Sequence, residues 1–385
     1  HSTNSIHGPV RNPLALDGEP ISAGGSSGGS AVAVVVGDAD LALGTDTGGS
    51  VRLPASYTGT VGYRPSYGMI SRYGVFPYAN SLDTVGFIAR EVRPMLDLLV
   101  NTKLDEEHDA QDPTSLSAAT RQRCAKACPP TLQDNAQLTV GIPLEYNIAE
   151  LDPAIRRSWI EAASALEAQG AKIVPVSLPS TKEALCAYYV IAVAEASSNL
   201  AKYDGVRYGV RAPGSDAAGD ALYSETRGSG FGDEVKRRIL LGTYSLSSEA
   251  MDNYFIQAQK VRRLIRRDFD RVFRLANPLQ DPEQFDLSDM AEDTGLEDKR
   301  GPPQVDFLLS PTTPSFAPKL RDVLENSSTD AYMNDVFTVP ASLAGLPAMS
   351  VPARTDESRL PVGLQLIAQY WDDKRLLAMA ERLKD

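Results

Sequence analysis

Apolar and polar positions alternate between two rhythms along this chain, and most of the elements can be read from that alternation. Leu41-Ala42-Leu43-Gly44-Thr45, Leu138-Thr139-Val140-Gly141-Ile142, Lys172-Ile173-Val174-Pro175-Val176 and Asp306-Phe307-Leu308-Leu309-Ser310-Pro311 are short apolar runs that read as buried strands. Between the second and third, Asp152-Pro153 opens a helix, with Asp at the N-cap and Pro in the first turn. Ile155, Trp159, Ala162, Ala163 and Leu166 recur at helical spacing, and Gly170 closes it. Further helices are expected from about Ser248 to Leu275, near 331–343 and near 372–383. Residues 30–37 leave two readings open. The valines favour a strand, whereas the small residues and Gly37 allow a short buried helix.

Strand, helix, strand in succession predicts an α/β fold. The expected architecture is one domain over 1–385, a mixed central sheet covered by helices on both faces. Residues 62–90, with Gly, Tyr, Pro and Ser at short intervals, read as a loop-rich surface. Residues 111–137 read as a polar surface excursion. Residues 277–305 hold eight acidic residues between Asp281 and Asp298 and read as a mobile acidic insertion. The helix over 248–275 carries Arg262, Arg263, Arg266, Arg267 and Arg271, read as a solvated face.

Composition narrows the function. Among 385 residues, 42% are hydrophobic and the formal net charge is −12, so a broad basic surface for nucleic acid is not expected. No run of about 18 apolar residues appears, and no membrane span is expected. Three cysteines, Cys124, Cys128 and Cys186, are too few and too odd in number for a disulfide framework. The only histidines are His1, His7 and His108, so a zinc site lacks ligands and no metal site is expected.

The chemistry concentrates in two segments. Gly24-Gly25-Ser26-Ser27-Gly28-Gly29-Ser30 is followed by Thr45-Asp46-Thr47-Gly48-Gly49-Ser50-Val51-Arg52. Each sets a serine among glycines, whose missing β-carbons let backbone N–H groups approach a bound atom. A nucleophile beside its oxyanion hole is one reading; tight turns or a phosphate cradle are the other. No Gly-Lys-Ser/Thr is present for a P-loop, and neither segment is G-x-S-x-G. No histidine has a setting that suits a base, so serine–lysine chemistry is favoured over a Ser-His-Asp triad. Ser26 then passes a proton between Ser50 and a neutral lysine, while the N–H groups of Thr47, Gly48, Gly49 and Ser50 hold the oxyanion.

Together with Asp46, Arg52 and Pro54, the two segments resemble the amidase signature family. That resemblance implies a Ser–cis-Ser–Lys triad, with Ser50 as nucleophile and Ser26 as the cis-peptide serine. Further stretches, including Tyr188-Tyr189-Val190-Ile191, Glu234-Val235-Lys236-Arg237-Arg238 and Tyr332-Met333-Asn334-Asp335, are similar to one branch of it. That branch is the A subunits of glutamyl-tRNA(Gln) amidotransferases, of mitochondrial type. It implies a glutaminase: Arg238 for the α-carboxylate of glutamine, Asp335 for its α-ammonium, Tyr188 lining the pocket. Without the resemblance, Arg238 reads as a surface ion pair and Asp335 as a helix-face charge.

The resemblance also implies partners: a B subunit that uses ATP and Mg and handles Glu-tRNA(Gln), and a small C-type third subunit. No cofactor is expected in this chain. The family's lysine lies several tens of residues before the first glycine segment, whereas the residues before Ser26 contain none and Lys103 is the first. The expectation is an N-terminally truncated copy with impaired glutamine hydrolysis. The alternatives are a free-standing amidase of the same family, or a chain that only assembles with partners.

Overall fold

A computed structural model describes residues 2–16, 18–129, 131–132, 138–213, 221–280, 304–325, 332–353 and 360–384. The chain begins with an antiparallel pair, β1 (Arg11–Leu16) and β2 (Glu19–Ser22). There follow α1 (Gly28–Val36), β3 (Leu41–Asp46), α2 (Arg52–Thr58), β4 (Val61–Arg64) and β5 (Thr84–Ala89). Next come α3 (Arg93–Thr102), α4 (Ala118–Ala127), β6 (Thr139–Pro143), α5 (Pro153–Ala168) and β7 (Lys172–Val176). The long helical stretch is α6 (Ala184–Asn199), α7 (Ser224–Gly230), α8 (Asp233–Ser245) and α9 (Gln257–Val272). The chain ends with β8 (Phe307–Pro311), α10 (Leu320–Glu325), α11 (Val339–Ala344), β9 (Ala348–Pro352), β10 (Gly363–Ala368) and α12 (Asp373–Lys384).

Eight of the strands form one sheet in the order β3-β5-β4-β9-β10-β8-β6-β7. From β3 to β8 every neighbour is antiparallel; β8, β6 and β7 run parallel to one another. The parallel pair β6–β7 is joined by α5, as the strand–helix–strand pattern predicts. Asp152 caps α5, its carboxylate accepting from the Ala154 N–H at 2.8 Å. The mixed sheet flanked by helices is the expected fold class.

Residues 30–37 resolve to α1, whose buried face is Gly28, Ala31 and Val34. Packing of that face decides against strand propensity.

The reading of 62–90 as a loop-rich surface holds for the turns and bends of 65–83 and is corrected at its two ends, where β4 and β5 are central strands, buried at every position. Gly62 misled as a turn signal. A β-carbon there would stand 2.6 Å from Ala55 Cβ and 2.8 Å from the Val51 carbonyl, so the glycine lets α2 lie against the strand.

The stretch 111–137 is corrected in part, because α4 anchors it. Arg121, 2% exposed, donates to the carbonyls of Gly68, Met69, Leu104, Asp105 and Leu116. Residues 133–137 lie outside the described residues, as do 281–303 of the acidic insertion.

The helix expected from Ser248 begins later, as a π-helical turn over Asp252–Ile256 running into α9. Its arginines are not uniformly solvated. Arg262 donates to the Leu343 carbonyl at 2.8 Å and to the Ser81 hydroxyl at 2.7 Å. The helix expected near 331–343 is interrupted: Tyr332 and Met333 are helical, 334–338 form turns, and α11 follows.

Residues Pro179–Lys202 form a helical stretch long and apolar enough to cross a membrane. Here it is a packed element. Ala187, Tyr188, Ile191 and Ala192 of α6 are buried, and its Glu195 accepts from the Ser81 N–H at 2.8 Å.

Candidate active site

The two glycine–serine segments meet. The first links β2 to α1 and contains a cis peptide between Gly25 and Ser26. The second links β3 to α2. The Ser27 N–H donates to the Ser50 carbonyl at 3.0 Å, and the Thr45 N–H donates to the Ser27 hydroxyl at 3.2 Å. Ser26 and Ser50 are thereby brought to the wall of the same cleft, about 810 Å³ in volume.

The second loop is held from beneath. Asp46 accepts from Arg52 Nε at 3.0 Å and Nη2 at 2.9 Å, and from the Val51 N–H at 3.3 Å. Arg64 Nε stands 3.4 Å from the same carboxylate. Burial alone would raise the Asp46 pKa. The Arg52 charge and hydrogen bonds, with Arg64 and the Val51 N–H, outweigh it and hold the carboxyl below its ordinary value. Arg52 uses its remaining donors on the Thr338 carbonyl, Gln365 and Ser342. A β-carbon on Gly48 would stand 2.6 Å from Tyr188 Cζ, and Gly49, at φ +152°, backs onto the Thr338 side chain. The N–H groups of Gly48, Gly49 and Ser50 have no acceptor among the described residues.

Charged groups stand elsewhere in the same wall. Arg238 of α8 donates from Nε to Glu234 at 2.8 Å and from Nη1 to the Tyr78 hydroxyl at 2.9 Å. Its guanidinium carbon is 5.7 Å from the Tyr78 ring centre and 6.0 Å from that of Tyr332. Burial would lower the Arg238 pKa, but its hydroxyl and carboxylate neighbours prevail and raise it, so it stays cationic. Asp335, in the turn before α11, accepts from the Tyr189 hydroxyl at 3.1 Å. Burial pushes its carboxyl up to about 6 against that hydrogen bond.

The structure therefore brings Ser26, Thr47, Ser50, Tyr188, Arg238 and Asp335 into one cleft. Gly48 and Gly49 lie behind the wall, against Tyr188 and Thr338. Sequence reasoning missed Tyr78, Asp83, Tyr189, Glu234 and Tyr332, which also reach the cleft. Tyr189, Glu234 and Tyr332 sat in the stretches that carry the resemblance, and Glu234 also left a physical signal, as the acidic partner four residues before Arg238 on a helix. Among the described residues lining the cleft there is no lysine or histidine. Lys103 ends α3, exposed and paired with Glu106 at 3.6 Å. No group of three His, Cys, Asp or Glu among the described residues is placed to hold a metal.

The arrangement can perform acyl transfer. It sets two serine hydroxyls, Ser26 and Ser50, on the wall of one cleft, with undirected N–H donors in the glycine loop and a separate pair of opposite charges.

Comparison with known proteins agrees with this chemistry. The amidase family model matches residues 1–377. A curated relative from Fusarium vanettenii, the mitochondrial glutamyl-tRNA(Gln) amidotransferase A subunit, is 74% identical over all of this chain and 75% of its own length. The protein of the same name from Podospora anserina is 64% identical over 99% of this chain and 76% of its own. The crystal structure of the glutamyl-tRNA(Gln) amidotransferase A subunit from Thermotoga maritima is 35% identical, with a TM-score of 0.66, over 95% of this chain and 66% of that one. The glycine-framed serines, the mixed sheet that carries them and the match over nearly the whole length lead to one conclusion: the chain belongs to the amidase family.

Proposed function

We propose that the chain is the glutaminase subunit of a mitochondrial glutamyl-tRNA(Gln) amidotransferase. One observation carries the reading: the two glycine-framed serines share a single cleft with a fixed cation, Arg238, and a carboxylate, Asp335. Glutamine offers the matching chemistry, an amide at one end and a zwitterionic amino-acid moiety at the other. The guanidinium fork suits the α-carboxylate and the Asp335 carboxylate suits the α-ammonium. Tyr188 lines the same cleft and packs against Gly48 of the loop.

In this mechanism Ser50 Oγ adds to the side-chain carboxamide carbon. Its proton passes to Ser26 and on to the base of the relay. The N–H groups over Thr47–Ser50 hold the oxyanion, and removing one such donor costs about 3 kcal/mol of transition-state stabilisation. Collapse breaks the C–N bond, and the relay returns a proton to the departing ammonia. Water then hydrolyses the acyl-serine to glutamate. The family uses lysine as base. Lys103, committed to Glu106, is not a candidate.

Ammonia would serve a B subunit that activates Glu-tRNA(Gln) with ATP and Mg, with a small C-type subunit completing the assembly. The acidic charge of the chain supports this division, since RNA and nucleotide then belong to the partner.

The test is ammonia release from glutamine and from simple aliphatic amides, using the full-length gene product assembled with its partner subunits. Glutamine should be strongly preferred, and Ser50→Ala should abolish release while leaving assembly intact. Preference for aliphatic amides, or activity retained by Ser50→Ala, would overturn the reading.

A further inference from the structure

The connection between β4 and β5 touches both the nucleophile loop and the charged part of the cleft. Asp83 Oδ1 accepts from the Thr47 hydroxyl at 2.7 Å, three residues before Ser50. Its other oxygen accepts from the N–H groups of Tyr78 at 2.7 Å and Ala79 at 2.9 Å. The Tyr78 hydroxyl in turn accepts from Arg238 at 2.9 Å. One buried carboxylate thus fixes a hydroxyl inside the glycine loop and the turn that aims Tyr78 at the guanidinium.

The turn is itself clamped from outside the cleft. The Ser81 N–H and hydroxyl both donate to Glu195 of α6. Arg262 of α9 donates to the Ser81 carbonyl at 2.8 Å, and Asn199 donates to the Tyr78 carbonyl at 3.0 Å. Asp83 is 5% exposed, and three donors satisfy its two oxygens. Charge-assisted hydrogen bonds of this kind are short and directional, which suits a group that must hold others in register.

We propose that Asp83 is a positioning residue for the reaction, setting the oxyanion loop through Thr47 and the carboxylate-binding arginine through Tyr78. The second arm rests on the glutaminase reading; the first does not, because any amide substrate needs the loop.

The two arms separate kinetically. The test uses the full-length protein with its partner subunits and two substrates, glutamine and propionamide. Thr47→Val removes the hydroxyl at nearly constant volume and should lower kcat about tenfold on both amides, with KM little changed. Thr47→Ser keeps the donor and should restore kcat. Tyr78→Phe should raise KM for glutamine about tenfold and leave propionamide unaffected. Asp83→Ala, which removes both acceptor oxygens, should show both effects. The double variant Asp83→Ala/Thr47→Val should lose no more kcat than Asp83→Ala alone, since both remove the Thr47–Asp83 hydrogen bond.

The proposal is overturned if a folded Asp83→Ala keeps wild-type kcat and KM, or if the two kcat losses multiply. If Asp83→Ala does not fold, Thr47→Val and Tyr78→Phe decide: a kcat effect from the first and a KM effect from the second support the proposal, and their absence overturns it. If the wild type turns over propionamide and not glutamine, the glutaminase reading fails. The Thr47 arm is then still scored on propionamide.

Discussion

The Arg52 guanidinium clasps the Asp46 carboxylate through Nε at 3.0 Å and Nη2 at 2.9 Å, with both side chains wholly buried. The loop Thr47–Val51 is strung between these two residues, so its shape depends on a pair that never meets solvent. Replacing Arg52 strips the buried Asp46 carboxylate of two charge-assisted hydrogen bonds and leaves only Arg64, at 3.4 Å, facing it. Arg52→Leu should destabilise the fold by about 3–5 kcal/mol, seen as a lowered denaturation midpoint in urea. Arg52→Lys should rescue little, because an ammonium cannot span both carboxylate oxygens while also reaching Gln365 and Ser342.

The contact between Gly48 and Tyr188 predicts a different outcome, with turnover lost and the fold kept. A methyl group at position 48 would press on the Tyr188 ring and shift the loop's N–H groups. Losing one aligned oxyanion donor costs roughly 100-fold or more in kcat. Gly48→Ala should therefore cut glutamine hydrolysis by about that factor, as steady-state ammonia release, while circular dichroism stays native. Wild-type turnover in this variant would show that the loop is looser than its packing implies.

Asp335 supplies a pH dependence. Burial sets its carboxyl at about 6, so it is charged above that pH and neutral below. Only the charged form attracts an α-ammonium. Values of kcat/KM for glutamine should therefore fall as pH drops through 6, approaching tenfold per unit on the acid limb. Groups facing the carboxyl include the Tyr189 hydroxyl and the Arg238 guanidinium, which stays cationic. An aliphatic amide without an amino group should lack this limb, and Asp335→Asn should remove it while lowering kcat/KM at neutral pH. Identical acid limbs for both substrates would assign the ionisation to another group.

Much of the site was legible because its parts are local. A serine among glycines, an N-cap Asp before Pro153 and four short apolar strands each carry their signal within a few residues. Gly62 shows the limit of such reading. Glycine means a turn or a close approach, and only the position of Ala55 across the contact says which. Residues 30–37 show the same for secondary structure. Valine-rich sequence became a helix because Ala31 and Val34 face a core built from other parts of the chain. Arg262 shows it for charge: its neighbours on α9 read as a solvated face, yet it binds the backbone of two distant segments.

By itself, the sequence determined the reactive groups: two glycine-framed serines, an acid and an arginine flanking the second, and a chain too poor in histidine for a Ser-His-Asp triad. Only the tertiary structure decided what those groups face. It set Arg238 and Asp335 in the cleft of Ser26 and Ser50, walled that cleft with Tyr188, and joined its parts through Asp83. The physical reason is reach. A glycine loop sets its own backbone geometry over a handful of residues, whereas a guanidinium on α8 meets a loop after β3 only when helices and sheet have packed.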